Sequence, residues 1–426
     1  MPYYLFVARM NLIVEATVTP QQRRNYYFIV ASTISMQITA STIYMVFPLF
    51  FSAIGLSKGE SGLLISIGTF AGIISSVAAG LLSNRYGRKK VLVLGTLLYT
   101  IVFFIFNAVG NSFNALFISR FIAGIGFYIM PVMVTTMAAD IFPPGERGRA
   151  MGLFSAAGGI GSLIGPLIAP LLIAGSNYSL YFVFSGGFVA VSAVMMLIFV
   201  KETLQKEKML SEKNASKGFK IDVPGFLKSV KGLGAVVGVF LVAILVYRTG
   251  LTMIDPFMSL FLEDIVHIDL SQVSYVFAMR ALTTIIFSPL AGIMVDKSGS
   301  KIVVLLGVFL SIVDLIGFTI AGGFLWMVTL NLVYGITWAF TMTAMNTLMA
   351  DLLNPKMRGF GLGIQSAISQ QSSTLGSLFS GFIIDAYGFN LVFYLAAAFC
   401  VVTLVLIQVF VPESRNRALG KSVARA

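Results

Sequence analysis

The sequence predicts an all-α polytopic membrane protein: twelve transmembrane helices in two pseudo-symmetric six-helix bundles. Three observations carry this expectation. The 426 residues are 57% hydrophobic and 11% charged, with a mean hydropathy of +0.92, whereas a soluble domain carries about a quarter charged residues. Apolar stretches of roughly the 20 residues needed to cross a bilayer recur twelve times. The two halves also repeat each other at an offset of about 211 residues, as from Asp140 to Asp351.

The first 25 residues hold Arg9, Arg23 and Arg24 and too short an apolar stretch for a cleaved signal, so 1–25 reads as a cytoplasmic tail. An N-terminal bundle, 26–200, follows with apolar spans near 26–52, 61–83, 91–109, 114–140, 149–174 and 179–200. The segment 201–231 holds eight Lys against Glu202, Glu207, Glu212 and Asp222, and reads as a solvated cytoplasmic linker lying on the inner leaflet. The C-terminal bundle, 232–411, has spans near 232–261, 272–294, 302–321, 325–351, 360–384 and 390–411, and 412–426 forms a second cytoplasmic tail. With both termini inside, Lys58 is the one cation in an outer loop. Arg120, Arg248 and Arg280 lie within spans, and the rest of the 29 Lys and Arg fall on the cytoplasmic side. The positive-inside rule thus accounts for the net charge of +12 without a nucleic-acid partner. The lone Cys400 allows no intramolecular disulfide and sits in an apolar run, as a packing residue would.

The repeat extends to particular residues. Gly80-Leu81-Leu82-Ser83-Asn84-Arg85-Tyr86-Gly87 recurs as Gly292-Ile293-Met294-Val295-Asp296-Lys297-Ser298-Gly299. Asp140, Pro144, Arg147, Gly148 and Gly152 fall on Asp351, Pro355, Arg358, Gly359 and Gly363, and Val200-Lys201-Glu202-Thr203 on Val411-Pro412-Glu413-Ser414. A duplicated hydrophobic unit implies a secondary transporter, with a site between the halves that is exposed alternately as one rocks against the other.

Over nearly its whole length the chain resembles the major facilitator superfamily, in particular its drug/proton antiporter branch. The stretch from Gly80 through Arg85, Gly87, Arg88 and Lys89 resembles the family's G-x-x-x-D-R-x-G-R-R/K loop between helices 2 and 3, with Asn84 in place of the usual Asp. Asp296-Lys297-Ser298-Gly299-Ser300-Lys301 resembles the second copy. The resemblance implies a gating role for these residues and for Asp140, Arg147, Asp351 and Arg358, with charges that can pair across the bundles and latch one conformation. Asn84 weakens such a latch in the first half. In the fifth span, Gly152, Gly161, Gly165 and Pro166 match G-x8-G-x3-G-P, a pattern found mainly among antiporters and exporters of the superfamily. Ala169 and Pro170 stand where the pattern continues with two glycines. Small residues also simply permit close helix packing.

Charges inside a bilayer are costly and point to function. There are five: Arg120, Arg248, Asp255, Arg280 and Asp314. Arg120 followed by Gly124 and Gly126 resembles the superfamily's helix-4 motif associated with proton coupling. Its repeat partner is Asn331, so the arginine departs from the symmetry. Arg248 and Asp255 lie two turns apart on one helix face, about 10 Å along the axis, too far to pair with each other. Asp255 precedes Pro256, and counting from the span ends puts Arg120, Asp255 and Arg280 in one half of the membrane, where Asp255 can pair with either arginine. Burial raises a carboxylate's proton affinity and a neighbouring guanidinium lowers it, so a carboxylate that loses its partner during rocking takes up a proton. Asp255 and Arg120 are therefore the leading coupling candidates and Arg280 and Asp314 supporting ones, Asp314 facing inward to brace an arginine. A permanent structural ion pair is the alternative. The first span has no carboxylate, so coupling rests mainly on the second half; sodium coupling and facilitated diffusion stand beside it.

Helices 1, 4, 7 and 10 line the central cavity in the family. The tenth span shows Asn331, Tyr334, Trp338, Thr341 and Met345 on one face, and Met130 and Met133 flank Pro131. With Gln37 and Tyr44 of the first span, this suggests a soft, apolar cavity with few polar anchors, suited to amphiphiles rather than sugars. No catalytic constellation, metal site or phosphate-binding loop is present in the sequence, and His267 lies among loop acids, so neither an enzyme nor a bound cofactor is expected and the energy comes from a gradient, most simply of protons. The expectation is a monomeric inner-membrane transporter exporting small amphiphilic or drug-like compounds against proton influx. The alternative is an importer or symporter of a small organic anion or other metabolite, with Arg120 and Arg248 on the solute. A ligand-binding receptor that moves nothing has little support.

Overall fold

The computed structural model describes residues 18–143, 146–173, 175, 177–204, 233–320, 322–353 and 357–413. These form twelve long helices: α1 Pro20–Ala53, α2 Lys58–Tyr86, α3 Arg88–Ala108, α4 Phe113–Ile141, α5 Arg147–Leu172, α6 Ser179–Phe199, α7 Ala235–Asp264, α8 Leu270–Ser298, α9 Ser300–Phe318, α10 Phe324–Leu352, α11 Arg358–Tyr387 and α12 Phe389–Phe410. All but α11 are long and apolar enough to cross a membrane. The serine- and glutamine-rich α11 is more polar and packs along α2 and α7. Most of the tails and linker (1–17, 205–231 and 414–426), with Pro144 and Pro355, lie outside the described residues.

Local chemistry sets the helix starts. Ser57 and Glu60 form a reciprocal capping box at α2, and Asp269 and Gln272 another at α8. Thr19 and Gln22 form a third, with Pro20 in the first turn, which starts α1 inside the stretch expected to be tail. Asn25 then bonds the Lys201 backbone and Tyr26 the Ala150 carbonyl, so this turn belongs to the bundle. The duplicated glycines do their work between helices: Gly87 (φ 100) and Gly299 (φ 94) occupy backbone conformations that disfavour side chains and join α2 to α3 and α8 to α9.

Two central helices are broken. α1 kinks at Thr42, between helical segments Pro20–Ser41 and Ile43–Ala53. α7 passes through a 3-10 turn at Asp255–Phe257, where Pro256 cannot continue the α-helical bonding. Each bundle has an aromatic core, Phe47, Phe103, Phe106 and Phe182 in the first and Phe261, Phe318 and Phe393 in the second. Leu94, Ile101, Ile198 and Val409 are exposed, as faces turned to lipid require.

The bundles meet along α2 with α11 and α5 with α8. At the end where α2 begins, the far end, contact is tight. Asp385 of α11 accepts hydrogen bonds from the Lys58 and Gly59 amides at 3.1 and 2.6 Å, and Lys58 Nζ reaches Asp264 of α7 at 3.2 Å. A side chain at Gly62 would run into the Ser377 carbonyl, and Thr69 bonds Thr374 at mid-helix. These contacts join the two bundles at the far end.

Candidate functional site

The break in α7 places a carboxylate where three helices of the C-terminal bundle converge. Asp255 Oδ1 accepts from Arg280 Nη1 of α8 at 2.8 Å and from the Tyr334 hydroxyl of α10 at 2.9 Å. The Arg280 guanidinium also lies over the Tyr334 ring at 3.9 Å and faces Trp338 at 5.8 Å. Two turns before Asp255, Arg248 stacks on Trp338 at 4.5 Å, with Nε and Nη1 enclosed and without a hydrogen-bond partner among the described residues. Of the two pairings open to Asp255, the structure shows the one with Arg280.

Arg120 of α4 serves the opposite half. It donates from Nε to the Leu64 carbonyl at 3.1 Å and lies over Phe47 at 4.8 Å, with Gly68 leaving room for its guanidinium. It lines a cavity with Tyr44, Thr69, Tyr99, Phe127 and Tyr128. Tyr44 stands on the Ile43–Ala53 segment of α1, which packs against the Asp255–Phe257 turn of α7, and so links this cavity to the other half-site. Gln37 bonds Ser162 of α5 at 3.1 Å and packs against Gly161, at the joint between α1 and α5.

Two expected site residues sit elsewhere. Asn331 turns its amide back to the Met327 carbonyl of its own helix, so that donor is spent within α10 and is not offered to a substrate. Thr341 likewise faces Gly307 of α9, which leaves Tyr334 and Trp338 as the members of that stripe that touch the arginines. Asp314 does face inward, but it braces no arginine by a bond: it is fully buried and neither carboxylate oxygen has a hydrogen-bond partner. Gly307 against Thr341 and Gly317 against Leu330 bracket it and set it level with Tyr334. Arg280 is already committed to Asp255.

At the near end, Arg88 bonds Ser83, Asn84 and Asp140 at 2.6, 2.5 and 3.3 Å, and Asp140 also accepts from Thr203, all within the N-terminal bundle. Asp351 accepts from Ser300 at 3.1 Å, within its own bundle. Arg147 donates to the Ala139 and Phe142 carbonyls and Arg358 to Ala350, each holding the end of the preceding helix. Arg85, Asp296 and Lys297 are exposed at this face, while a Cβ at Gly80 would meet open space. In α5, Gly161 and Gly165 admit the backbone of α1, Pro166 is buried, and Gly152 faces open space.

Sequence reading passed over several partners. Glu202 accepts from the Arg88 and Lys89 amides at 2.8 and 3.1 Å and so holds the start of α3. Its signal was the repeat itself, since Glu413 approaches Gly299 as Glu202 approaches Gly87. Asp385, Asp264 and Lys58 gave no comparable sign, because their meeting depends on how the bundles dock. Among the described residues no group of His, Cys, Asp or Glu could hold a metal.

Broken helices, a charged cluster at mid-bundle and two docked six-helix units are the architecture of a polytopic membrane transporter. Residues 29–247 and 240–426 each match the Major Facilitator Superfamily, and the chain belongs to that family. It is 25% identical over 346 residues to "Multidrug resistance protein 2" of Bacillus subtilis (strain 168), covering 80% of this chain and 84% of that one. It is 23% identical over 374 residues to "Quinolone resistance protein NorA" of Staphylococcus aureus (strain Mu50 / ATCC 700699), covering 88% and 92%. Its fold is similar to that of a mutant of the nucleoside transporter NupG, with a TM-score of 0.75 at 14% identity, and to that of the human organic anion transporter MFSD10 (TETRAN), 0.65 at 15%. Each likeness covers 91% of this chain and 100% of the other.

Proposed function

We propose that this transporter exports small amphiphilic, drug-like compounds in exchange for protons. The observation that carries the reading is the Asp255–Arg280–Tyr334 cluster at the break of α7. A carboxylate whose one ion pair joins two helices gains or loses a proton when that pair opens and closes, which couples proton flow to rocking. The aromatic walls and single polar anchors around it suit amphiphiles, and the relatives named for multidrug and quinolone resistance support efflux. In this reading the termini are cytoplasmic, the far end faces outward, the protein works as a monomer in the cell membrane, and the proton gradient supplies the energy.

The test uses inside-out vesicles with a preformed pH gradient and a panel of amphiphilic compounds. The unmodified protein should collapse the gradient when substrate is added, and Asp255→Asn should not. No proton movement with any compound sinks the proposal. Uptake of a small organic anion is the second reading, favoured by the unpartnered Arg248 guanidinium. It predicts accumulation of the anion inside right-side-out vesicles, driven by an inward proton gradient.

A further inference from the structure

We propose that the substrates of this site carry an acidic group beside an aromatic or aliphatic body, and that Arg248 is the residue that selects it. The inference rests on the region around the Asp255 cluster and Tyr44 being the substrate site, and it holds for either direction of transport.

The three intramembrane arginines are not equivalent. Arg280 has a carboxylate at 2.8 Å. Arg120 has one backbone carbonyl and the face of Phe47. Arg248 has the face of Trp338, and its enclosed Nε and Nη1 have no acceptor among the described residues. A guanidinium offers five donors in a planar fork that matches a carboxylate, and stacking on an indole fixes the plane of that fork. Leaving such donors empty in a water-poor site costs free energy that an incoming anion recovers.

Position and charge agree with this. Arg248 and Asp255 lie on the same helix, α7, whose broken end packs against the Ile43–Ala53 segment of α1 that holds Tyr44. Arginines outnumber aspartates three to two within the spans, so an anionic substrate meets a net positive interior. Phe127, Tyr128 and Tyr44 line the neighbouring cavity and supply an apolar wall for the body of the molecule. The sequence equivalent of Arg248 in the first bundle is Gln37, which is tied to Ser162, so the anion site is built on one half only.

The test is a binding titration with a matched pair of probes, 6-phenylhexanoate and its neutral amide, at neutral pH in detergent. Trp326→Phe, which changes an exposed tryptophan, leaves Trp338 as the single indole reporter. The acid should bind at least roughly tenfold more tightly than the amide, the ratio that one charge-assisted contact supplies. Arg248→Gln should bring the acid's affinity down to that of the amide and leave the amide unchanged, and Arg248→Lys should recover part of the difference. Equal binding of acid and amide by the unmodified site overturns the proposal, as does an equal loss for both probes in Arg248→Gln. Selective acid binding without substrate-driven proton movement leaves the inference standing and removes proton-coupled export instead.

Discussion

The two bundles have one framework and two electrostatic characters. Aligned at the offset of 211 residues, Gly124 matches Gly335 and Arg147 matches Arg358, while the loop glycines Gly87 and Gly299 and the carboxylates Glu202 and Glu413 occupy equivalent places. In each bundle these residues shape a close crossing, a turn or a helix end. The inner face of the site has diverged instead. Tyr44 matches Asp255, Gln37 matches Arg248, Ala123 matches Tyr334, Phe127 matches Trp338 and Phe103 matches Asp314. Geometry that lets helices approach is constrained equally in both halves, whereas the charged cluster at the break of α7 has no copy in the first. The duplicated scaffold therefore carries four of its five intramembrane charges, Arg248, Asp255, Arg280 and Asp314, in the second half.

The strongest way to break this comparison is to remove Asp255 and its counterpart in turn. Asp255→Ala leaves Arg280 without its carboxylate, and truncating one partner of a buried pair costs about 3–5 kcal/mol. With side chains 19% and 12% exposed, the lower end of that range is expected. Tyr44→Ala leaves no charge unpaired and should cost clearly less in a thermal denaturation assay. Equal losses would mean that the two positions serve the same packing purpose.

The second test is of the symmetric part. A side chain at Gly124 would meet the Gly68 backbone, and one at Gly335 the Arg280 carbonyl and Thr283 hydroxyl. Gly124→Ala and Gly335→Ala should each cost about 1–3 kcal/mol through overpacking, read as a lower melting temperature of the detergent-solubilised protein. Damage confined to one of them would show that the crossings are not equivalent.

How much of this was legible beforehand follows from where the information sits. Hydropathy and the repeat display the helices, because a span and its copy are properties of consecutive residues. The five intramembrane charges stand out for the same reason. Which charges meet is a property of neighbouring helices, so the choice of Arg280 over Arg120 for Asp255 had to come from the structure. Helical spacing put Asn331 on one stripe with Tyr334 and Trp338, yet the Asn331 amide closes on its own helix at Met327. Asp385 stands just past the span near 360–384, and only docking of α11 on α2 gives it the amides of Lys58 and Gly59.

Asp314 sharpens the comparison with the opposite sign. Its counterpart Phe103 is an apolar core residue, and Asp314 itself is buried without a hydrogen-bond partner on either oxygen. A carboxyl group placed so does not stabilise the fold. Asp314→Leu should therefore leave the protein as stable or raise stability by up to about 1–3 kcal/mol, the cost of an unsatisfied buried polar group. If Asp314 takes part in coupling, the same variant should move less proton per substrate in the vesicle assay. A variant that melts lower and still couples would show that the carboxyl group is needed for packing alone.

The smallest effect is expected at the far end, where two carboxylates hold the bundles together in different ways. Asp385 bonds two backbone amides at a helix start, a geometry that costs little side-chain entropy. Asp264 holds the flexible Lys58 ammonium, and the two side chains are 37% and 30% exposed. An exposed pair of this kind contributes roughly 0–1 kcal/mol and weakens with salt. Lys58→Gln should lower the melting temperature slightly at low ionic strength and not at all at high salt, whereas Asp385→Ala should lower it by more and in a salt-independent way. The ordering follows from which groups join the bundles there: amides of a helix start cannot swing away when water competes, and a lysine side chain can. If the two variants behave alike, the junction depends on net charge at that end rather than on the particular bonds of Asp385.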